Sequence, residues 1–240
     1  MSIWMTIILG TVVGIMGTLA GAGISLLIKK SNNKLPVALM AFAGGVMLSI
    51  VFFDMIPQAY AFSSLNTTAV SLLLGVVLIG VLQKLLRAHE KLRGNDHVRA
   101  GLLISSGIAL HNLPEGLAVG SGLADSAYGL SLALLIMAHD IPEGMAMTLP
   151  LKMGKVSTIK IIMVALLAGF PTVAGAFAGR IIGGISQSMI GACIGFAAGA
   201  MLFVTMHELL PGIFRNKNIC SGLFHILLGI LFGVAMIVLI

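Results

Sequence analysis

Charged residues are scarce in this sequence. Only 9% of its 240 residues are Asp, Glu, Lys or Arg, whereas 58% are hydrophobic, and the mean hydropathy is +1.10. A soluble globular domain carries about 25% charged residues, so this composition excludes a soluble enzyme or binding module of this length. We expect an integral membrane protein in contact with the lipid bilayer.

Cysteine is nearly absent as well, since Cys193 and Cys220 are the only two. Without closely spaced cysteine pairs, neither a disulfide framework nor a thiolate zinc site is expected. The chain also lacks a nucleotide-binding motif, so we expect no direct coupling to ATP and no prosthetic group. The first apolar run lacks a basic stretch before it and a cleavage site behind it, and is expected to be a retained helix.

Long apolar runs, by contrast, recur along the whole chain. A helix of about 20 residues crosses the roughly 30 Å hydrocarbon layer. The sequence predicts eight such spans, at residues 3–28, 36–56, 69–88, 100–122, 128–150, 158–180, 187–211 and 220–240. Little chain remains for a soluble part, so we expect one all-α transmembrane domain over residues 1–240.

The basic residues indicate the topology. Thirteen of the 14 Lys and Arg residues lie in or beside alternate loops, and only Arg180 lies on the other side. The positive-inside rule therefore predicts a multi-pass cell-membrane protein with both termini on the extracytoplasmic side, and we expect the inner membrane. Trp4, Tyr60 and Tyr128 then fall at the outer interface. Because topology accounts for the net charge of +6, no nucleic-acid partner is expected.

An internal repeat organises the spans. Residues 42–57 align without a gap on residues 196–211, at an offset of 154 that pairs Asp54 with Glu208. Spans one to three thus match spans six to eight, and the odd number of spans between copies inverts the second copy. The parts are about 1–88, about 100–150 and about 155–240. Such a 3+2+3 inverted repeat around spans four and five is typical of alternating-access transporters, in which the repeats rock about a midplane site.

Ionisable residues interrupt the apolar runs. Five of the eight acidic residues and four of the six histidines lie within predicted spans. They are Asp54, Glu115, Asp140, Glu143, Glu208, His111, His139, His207 and His225. An unpaired carboxylate in mid-bilayer is costly, and no Lys or Arg lies at a similar depth. Protons or a bound metal ion must therefore neutralise these groups.

Two copies of one motif, HNLPEG at 111–116 and HDIPEG at 139–144, contain most of these groups. Each copy places His and Glu at i and i+4 on one helical face, and a further polar residue shares each Glu at i, i+3. The candidate ligands are His111, Glu115, His139 and Glu143, with Asn112 and Asp140 beside them. Imidazole and carboxylate ligands without thiolate suit Zn, Fe(II), Mn, Co and Cd.

Ordered by their expected depth in the membrane, these residues form one path. His111 and His139 each lie about 11 residues into their spans, which is near the midplane at about 1.5 Å per residue. Asp54 lies near the outer end of span two, and His207 with Glu208 near the inner end of span seven. We expect an outer access point, a central site and an inner exit.

At these motifs the sequence resembles the ZIP (Zrt/Irt-like protein) family of divalent-metal transporters over essentially the whole chain. The resemblance implies transport toward the cytoplasm, with zinc the first choice of metal, and no enzymatic activity. It implies a primary transport site at the two His and two Glu of the motifs. It also implies a second metal position at Asn112 and Asp140 with the same Glu, ion access at Asp54, and release at His207 and Glu208.

This chain departs from many relatives at two positions. Phe170 precedes Pro171 where relatives with a two-metal centre have Glu, and His139 stands where some relatives have Gln. The preferred metal, the number of bound ions, proton coupling, carrier or channel behaviour and dimerisation stay open. The rival interpretations are an intramembrane metalloenzyme, disfavoured because HExxH is missing, and a proton-coupled carrier of another solute.

Overall fold

The computed structural model describes residues 2–28, 34–89, 95–124, 127–210 and 219–240, with side chains throughout except at 86–89, 127 and 208. This part of the chain forms eight helices long and apolar enough to cross a membrane, and it contains no strand. The helices are α1 (Ile3–Leu27), α2 (Lys34–Phe62), α3 (Leu65–His89), α4 (Asp96–Gly122), α5 (Ala127–Met153), α6 (Thr158–Gly183), α7 (Gln187–Val204, continued by Thr205–Leu209) and α8 (Ile219–Leu239).

The eight predicted spans and the all-helical fold are confirmed, and the largest difference in a boundary is at the end of span two. Span two was predicted to end at residue 56, yet α2 continues through Pro57 to Phe62. A π-helical turn, Val51–Met55, lies directly before Pro57. Its extra residue loosens the helical hydrogen-bond ladder where the proline ring would otherwise clash, so the helix continues.

Polar residues start several helices. The side chains of Ser2, Asn95 and Ser186 each accept a hydrogen bond from a backbone N–H of the first turn, which satisfies a group that has no partner within the helix.

Some of the basic loop residues from which the topology was predicted lie outside the described residues. They are Lys29, Lys30, Lys91, Arg93, Arg215 and Lys217.

Glycine contacts and π-helical turns follow the sequence repeat. A Cβ at Gly75 of α3 would overlap the carbonyl of Phe196 in α7, and a Cβ at Gly229 of α8 would overlap the carbonyl of Phe42 in α2. Both members of the second pair lie 154 positions after or before their counterparts in the first. The π-helical turns Val51–Met55 and Thr205–Leu209 are related by the same offset. The two copies therefore share their backbone irregularities as well as their sequence.

Close packing divides the helices into two groups that differ from the two repeats. In the site group, α4 packs against α5 and α6, and α1 packs against α5 and α6. In the flanking group, α2 packs against α8 and α7, and α3 packs against α7. Each group contains helices of both repeats, and the site group contains both HxxPEG helices.

The main hydrophobic core lies where the two groups meet. Its side chains come from α2 and α7 on one side and from α4 and α5 on the other. Met47 and Ile50 on α2 and Leu132 and Ile136 on α5 are fully buried in it. The contact between the groups therefore consists largely of apolar side chains, whereas contacts within each group bring glycine against backbone.

Candidate metal-binding site

Glycine residues allow four helices to approach closely around the two motifs. A Cβ at Gly21 of α1 would overlap the carbonyl of Ile141 in α5, and a Cβ at Gly175 of α6 would overlap the carbonyl of Leu113 in α4. Small residues allow helices in a membrane to approach this closely. α1 and α6 thus cover the motif-bearing helices on either side, and all six predicted ligands are buried.

The His and Glu side chains pair across the two helices. His111 Nε2 of α4 lies 2.8 Å from Glu143 Oε2 of α5, and His139 Nε2 of α5 lies 3.0 Å from Glu115 Oε1 of α4. The sequence placed all four on facing surfaces, and the structure brings them there. Each His hydrogen-bonds to the Glu of the other motif.

Asp140 joins one of these pairs. Ligand atoms of Glu115, His139 and Asp140 all lie within 4.8 Å of one another, close enough for one ion to contact all three. His139 Nε2 lies 3.6 Å from Asp140 Oδ1. Gly17 of α1 backs the cluster, since a Cβ there would lie 2.7 Å from the Cβ of Asp140. Asp140 was expected near both Glu residues, and it clusters with Glu115 of the other helix.

Asn112 has a fixed orientation. Its Nδ2 donates to the carbonyl of Ala168 in α6 at 2.7 Å, which leaves Oδ1 without a protein partner. The amide is therefore held with its oxygen, the atom that can bind a cation, unused.

Several buried ligand atoms have no hydrogen-bond partner. They are His111 Nδ1, Asn112 Oδ1, Glu115 Oε2, both Oδ atoms of Asp140, and Glu143 Oε1. A buried polar group without a partner costs about 1–3 kcal/mol, and native proteins contain few of them. No Lys or Arg is among the buried polar residues in the described ranges. The donor set, its burial and its unused lone pairs fit a divalent cation.

Asp54, the predicted access residue, lies in the π-helical turn of α2 and is half-buried. Tyr128, in the first turn of α5, donates its hydroxyl to Asp54 Oδ2 at 2.9 Å. The prediction that places Tyr128 at the outer interface did not include this contact; Trp4 and Tyr60, predicted at the same interface, are exposed. The depth of Tyr128, level with Asp54, was the available signal.

The predicted exit residues lie on the π-helical turn of α7. His207 is exposed, stacks on Phe203 with ring centroids 4.1 Å apart, and donates from Nδ1 to the Phe203 carbonyl. The side chain of Glu208 lies outside the described part of the structure. His225 is half-buried on α8 and donates from Nδ1 to the Ser221 carbonyl. Neither histidine reaches the central cluster.

Two further residues bear on the site. Phe170, at the position where many relatives have Glu, is 60% exposed, so α6 turns this position away from the cluster.

Lys152, predicted to be a loop charge, lies in the last turn of α5. Its Nζ donates to the carbonyls of Ser25, Leu26 and Ile28 at 2.6–3.1 Å. It thereby caps the C-terminal end of α1, a contact that sequence periodicity does not reveal.

Comparison with known proteins agrees with this geometry. The family model described as ZIP zinc transporter matches residues 89–240. The chain belongs to the ZIP zinc transporter family. The zinc transporter GufA of Myxococcus xanthus is 35% identical over 196 residues, covering 79% of this chain and 67% of its own length. The zinc transporters ZupT of Chlorobium chlorochromatii and Corynebacterium glutamicum are each 29% identical, covering 82% and 94% of this chain and 83% and 93% of their own lengths.

Membership of the ZIP family settles the class of the protein. It is a multi-pass membrane transporter and not an enzyme, which removes the metalloenzyme interpretation. The two HxxPEG motifs that carried the resemblance lie inside the matched residues.

Proposed function

We propose that this ZIP family protein carries a divalent transition metal, zinc first, across the membrane toward the cytoplasm. The metal is substrate and binds between α4 and α5 at His111, Glu115, His139 and Glu143. Asp140 completes one half of the set, and Asn112 offers its oxygen to a second position. Relatives named as zinc transporters support the choice of zinc.

The observation that carries this proposal is the group of buried ligand atoms without partners. Carboxylates in a low-dielectric interior require a counter-charge. The buried residues of the described part supply only histidine for that purpose. A divalent ion at the cluster would give unused atoms of Glu115, Asp140 and Glu143 a partner and offset two of the three carboxylate charges.

In the hydrogen bonds between the His and Glu side chains of the site, protons occupy the place of the metal. A carbonyl can only accept, so His139 Nδ1–H donates to the Leu135 carbonyl at 3.3 Å and its Nε2 faces Glu115. Such a bond fixes the ring with the other nitrogen toward a metal. Because His and Glu ligands bind metal in their deprotonated forms, loading the site releases protons.

Movement of the site group against the flanking group provides alternating access. Their contact is made largely by apolar side chains, which can exchange neighbours without breaking a hydrogen-bond ladder. Glycine-to-backbone contacts hold each group together internally. The moving parts we propose are therefore these groups, and not the two repeats that the sequence suggested, with residues 1–240 acting as one transport unit.

The loop charges indicate the orientation of the protein in the membrane, and the depth of the ionisable residues indicates the route of the ion. We propose that both termini are extracytoplasmic, that the ion is received at Asp54, and that it leaves past His207 and Glu208. The outward position of Phe170, which offers no ligand, favours one firmly held ion over two.

Uptake into proteoliposomes tests the proposal. Purified protein is reconstituted, its orientation is determined by protease cleavage of a terminal tag, and uptake of Zn, Cd, Fe(II), Mn and Co is measured against concentration. We expect saturable uptake that is fastest for Zn and runs toward the face bearing the basic loops. Uptake that rises linearly with concentration for every metal would instead indicate a channel.

A further inference from the structure

A hydrogen bond crosses the apolar boundary between the two helix groups. Tyr128 belongs to α5 of the site group and Asp54 to α2 of the flanking group, and the Tyr128 hydroxyl donates to Asp54 Oδ2 at 2.9 Å. Around it the two groups touch through buried apolar side chains such as Met55 and Leu132. A polar bond to a carboxylate in such surroundings is strong compared with one in water.

Close packing places Tyr128. Its ring packs on Phe62, the last residue of α2, with centroids 5.9 Å apart. The next residue, Gly129, lies against the end of α4, because a Cβ there would overlap the backbone of Leu123. The start of α5 therefore places the hydroxyl against Asp54. The same helix carries His139 and Glu143 about three to four turns further on.

The sequence does not repeat this donor at the other end of the molecule. The motif offset of 28 places Ala100 of α4 at the position equivalent to Tyr128, and the repeat offset of 154 places Glu208 at the position equivalent to Asp54. Alanine has no side-chain donor, so the equivalent residue cannot form this bond.

We propose that Tyr128 is a positioning residue for transport, whose hydroxyl holds the helix groups together at the Asp54 end and must leave Asp54 before a metal ion can enter. In the bonded state Asp54 offers only one free oxygen. When the groups separate, both oxygens become available to the ion. The inference rests on the proposed function for the identity of the ion, but not for the bond itself.

The test uses Tyr128→Phe, which keeps the ring on Phe62 and removes only the hydroxyl. In a background with Cys193→Ser and Cys220→Ser, Ala133→Cys reports opening, because Ala133 is buried between the groups. Without metal, we expect a membrane-impermeant thiol reagent to label this cysteine about three- to tenfold faster in Tyr128→Phe, as loss of one hydrogen bond to a carboxylate shifts the closed–open equilibrium. The KM for zinc uptake should fall by a similar factor without a rise in maximal rate.

A double-mutant cycle separates the hydroxyl from general packing. In an Asp54→Ala background, Tyr128→Phe should produce no further increase in labelling. Labelling at the wild-type rate in Tyr128→Phe, or an equal increase in both backgrounds, would overturn the proposal. Because labelling requires no metal, failure of zinc uptake with the labelling pattern intact would count against the proposed function alone.

Discussion

At the residue scale, the sequence predicted which side chains gather at the midplane but not which ones touch. The i, i+4 spacing of His and Glu places all four on facing surfaces, and depth places both motifs at one level. The cross-helix pairs His111–Glu143 and His139–Glu115 depend on the relative rotation of α4 and α5. That rotation is set by glycine contacts with α1 and α6, which local spacing does not encode.

Asp140 provides a prediction at this scale. Its two oxygens are buried without partners, close to the carboxylate of Glu115, so its charge destabilises the metal-free protein and favours metal. Asp140→Asn should raise the metal-free stability by about 1 kcal/mol or more. It should also weaken zinc binding about tenfold, which reduces zinc-induced stabilisation by about 1.4 kcal/mol. Thermal unfolding in detergent with and without zinc measures both effects.

The matched control for Asp140 is Asp96→Asn, an exposed carboxylate in the first turn of α4. This change should leave zinc-induced stabilisation intact. A full zinc response in Asp140→Asn would show that Asp140 is not a ligand.

At the element scale, apolar run length predicted all eight helices because a span needs about 20 residues whatever its neighbours. The continuation of α2 beyond residue 56 was missed, since a proline normally ends a helix and the π-helical turn that accommodates Pro57 has no local sequence pattern. The constant offset of 154 nevertheless implies that an irregularity in one copy recurs in the other, as Val51–Met55 and Thr205–Leu209 show.

Two glycines on α1 test the packing that shapes the site. A Cβ at Gly21 would overlap the Ile141 carbonyl within the HDIPEG motif, whereas a Cβ at Gly23 would meet nothing within 4 Å. Gly21→Ala should therefore cost about 1–3 kcal/mol of stability and impair transport. Gly23→Ala should be neutral or stabilise by up to about 1 kcal/mol through helix propensity. Unfolding in detergent and zinc uptake distinguish the two, and equal behaviour would contradict the packing described.

At the scale of the whole molecule, the repeat was readable from sequence but the grouping of helices was not. Pairing of α2 with α8 and of α3 with α7 joins segments far apart in the chain. Such contacts follow from complementary surfaces on both partners, which one aligned repeat does not identify. The division into a site group and a flanking group is therefore a result of the structure.

Cross-linking tests whether these groups move. Phe62 and Tyr128 lie on different groups with ring centroids 5.9 Å apart, and Phe42 and Phe232 lie within the flanking group at 5.5 Å. Each pair is replaced by cysteines and joined by a short, reversible thiol cross-linker. Linking 62 to 128 should stop zinc uptake until the linker is cleaved. Linking 42 to 232 should leave uptake unchanged, and the opposite pattern would refute movement between the groups.

The most direct test of the central claim is zinc uptake into proteoliposomes by the wild type, Glu143→Ala and His225→Ala. Glu143 lies in the buried cluster, whereas His225 is half-buried on α8, where it hydrogen-bonds to the Ser221 carbonyl and lies edge-on to Phe224. We predict that saturable uptake is lost in Glu143→Ala and retained in His225→Ala. Saturable uptake by Glu143→Ala at the wild-type rate would show that the ion does not cross through this cluster.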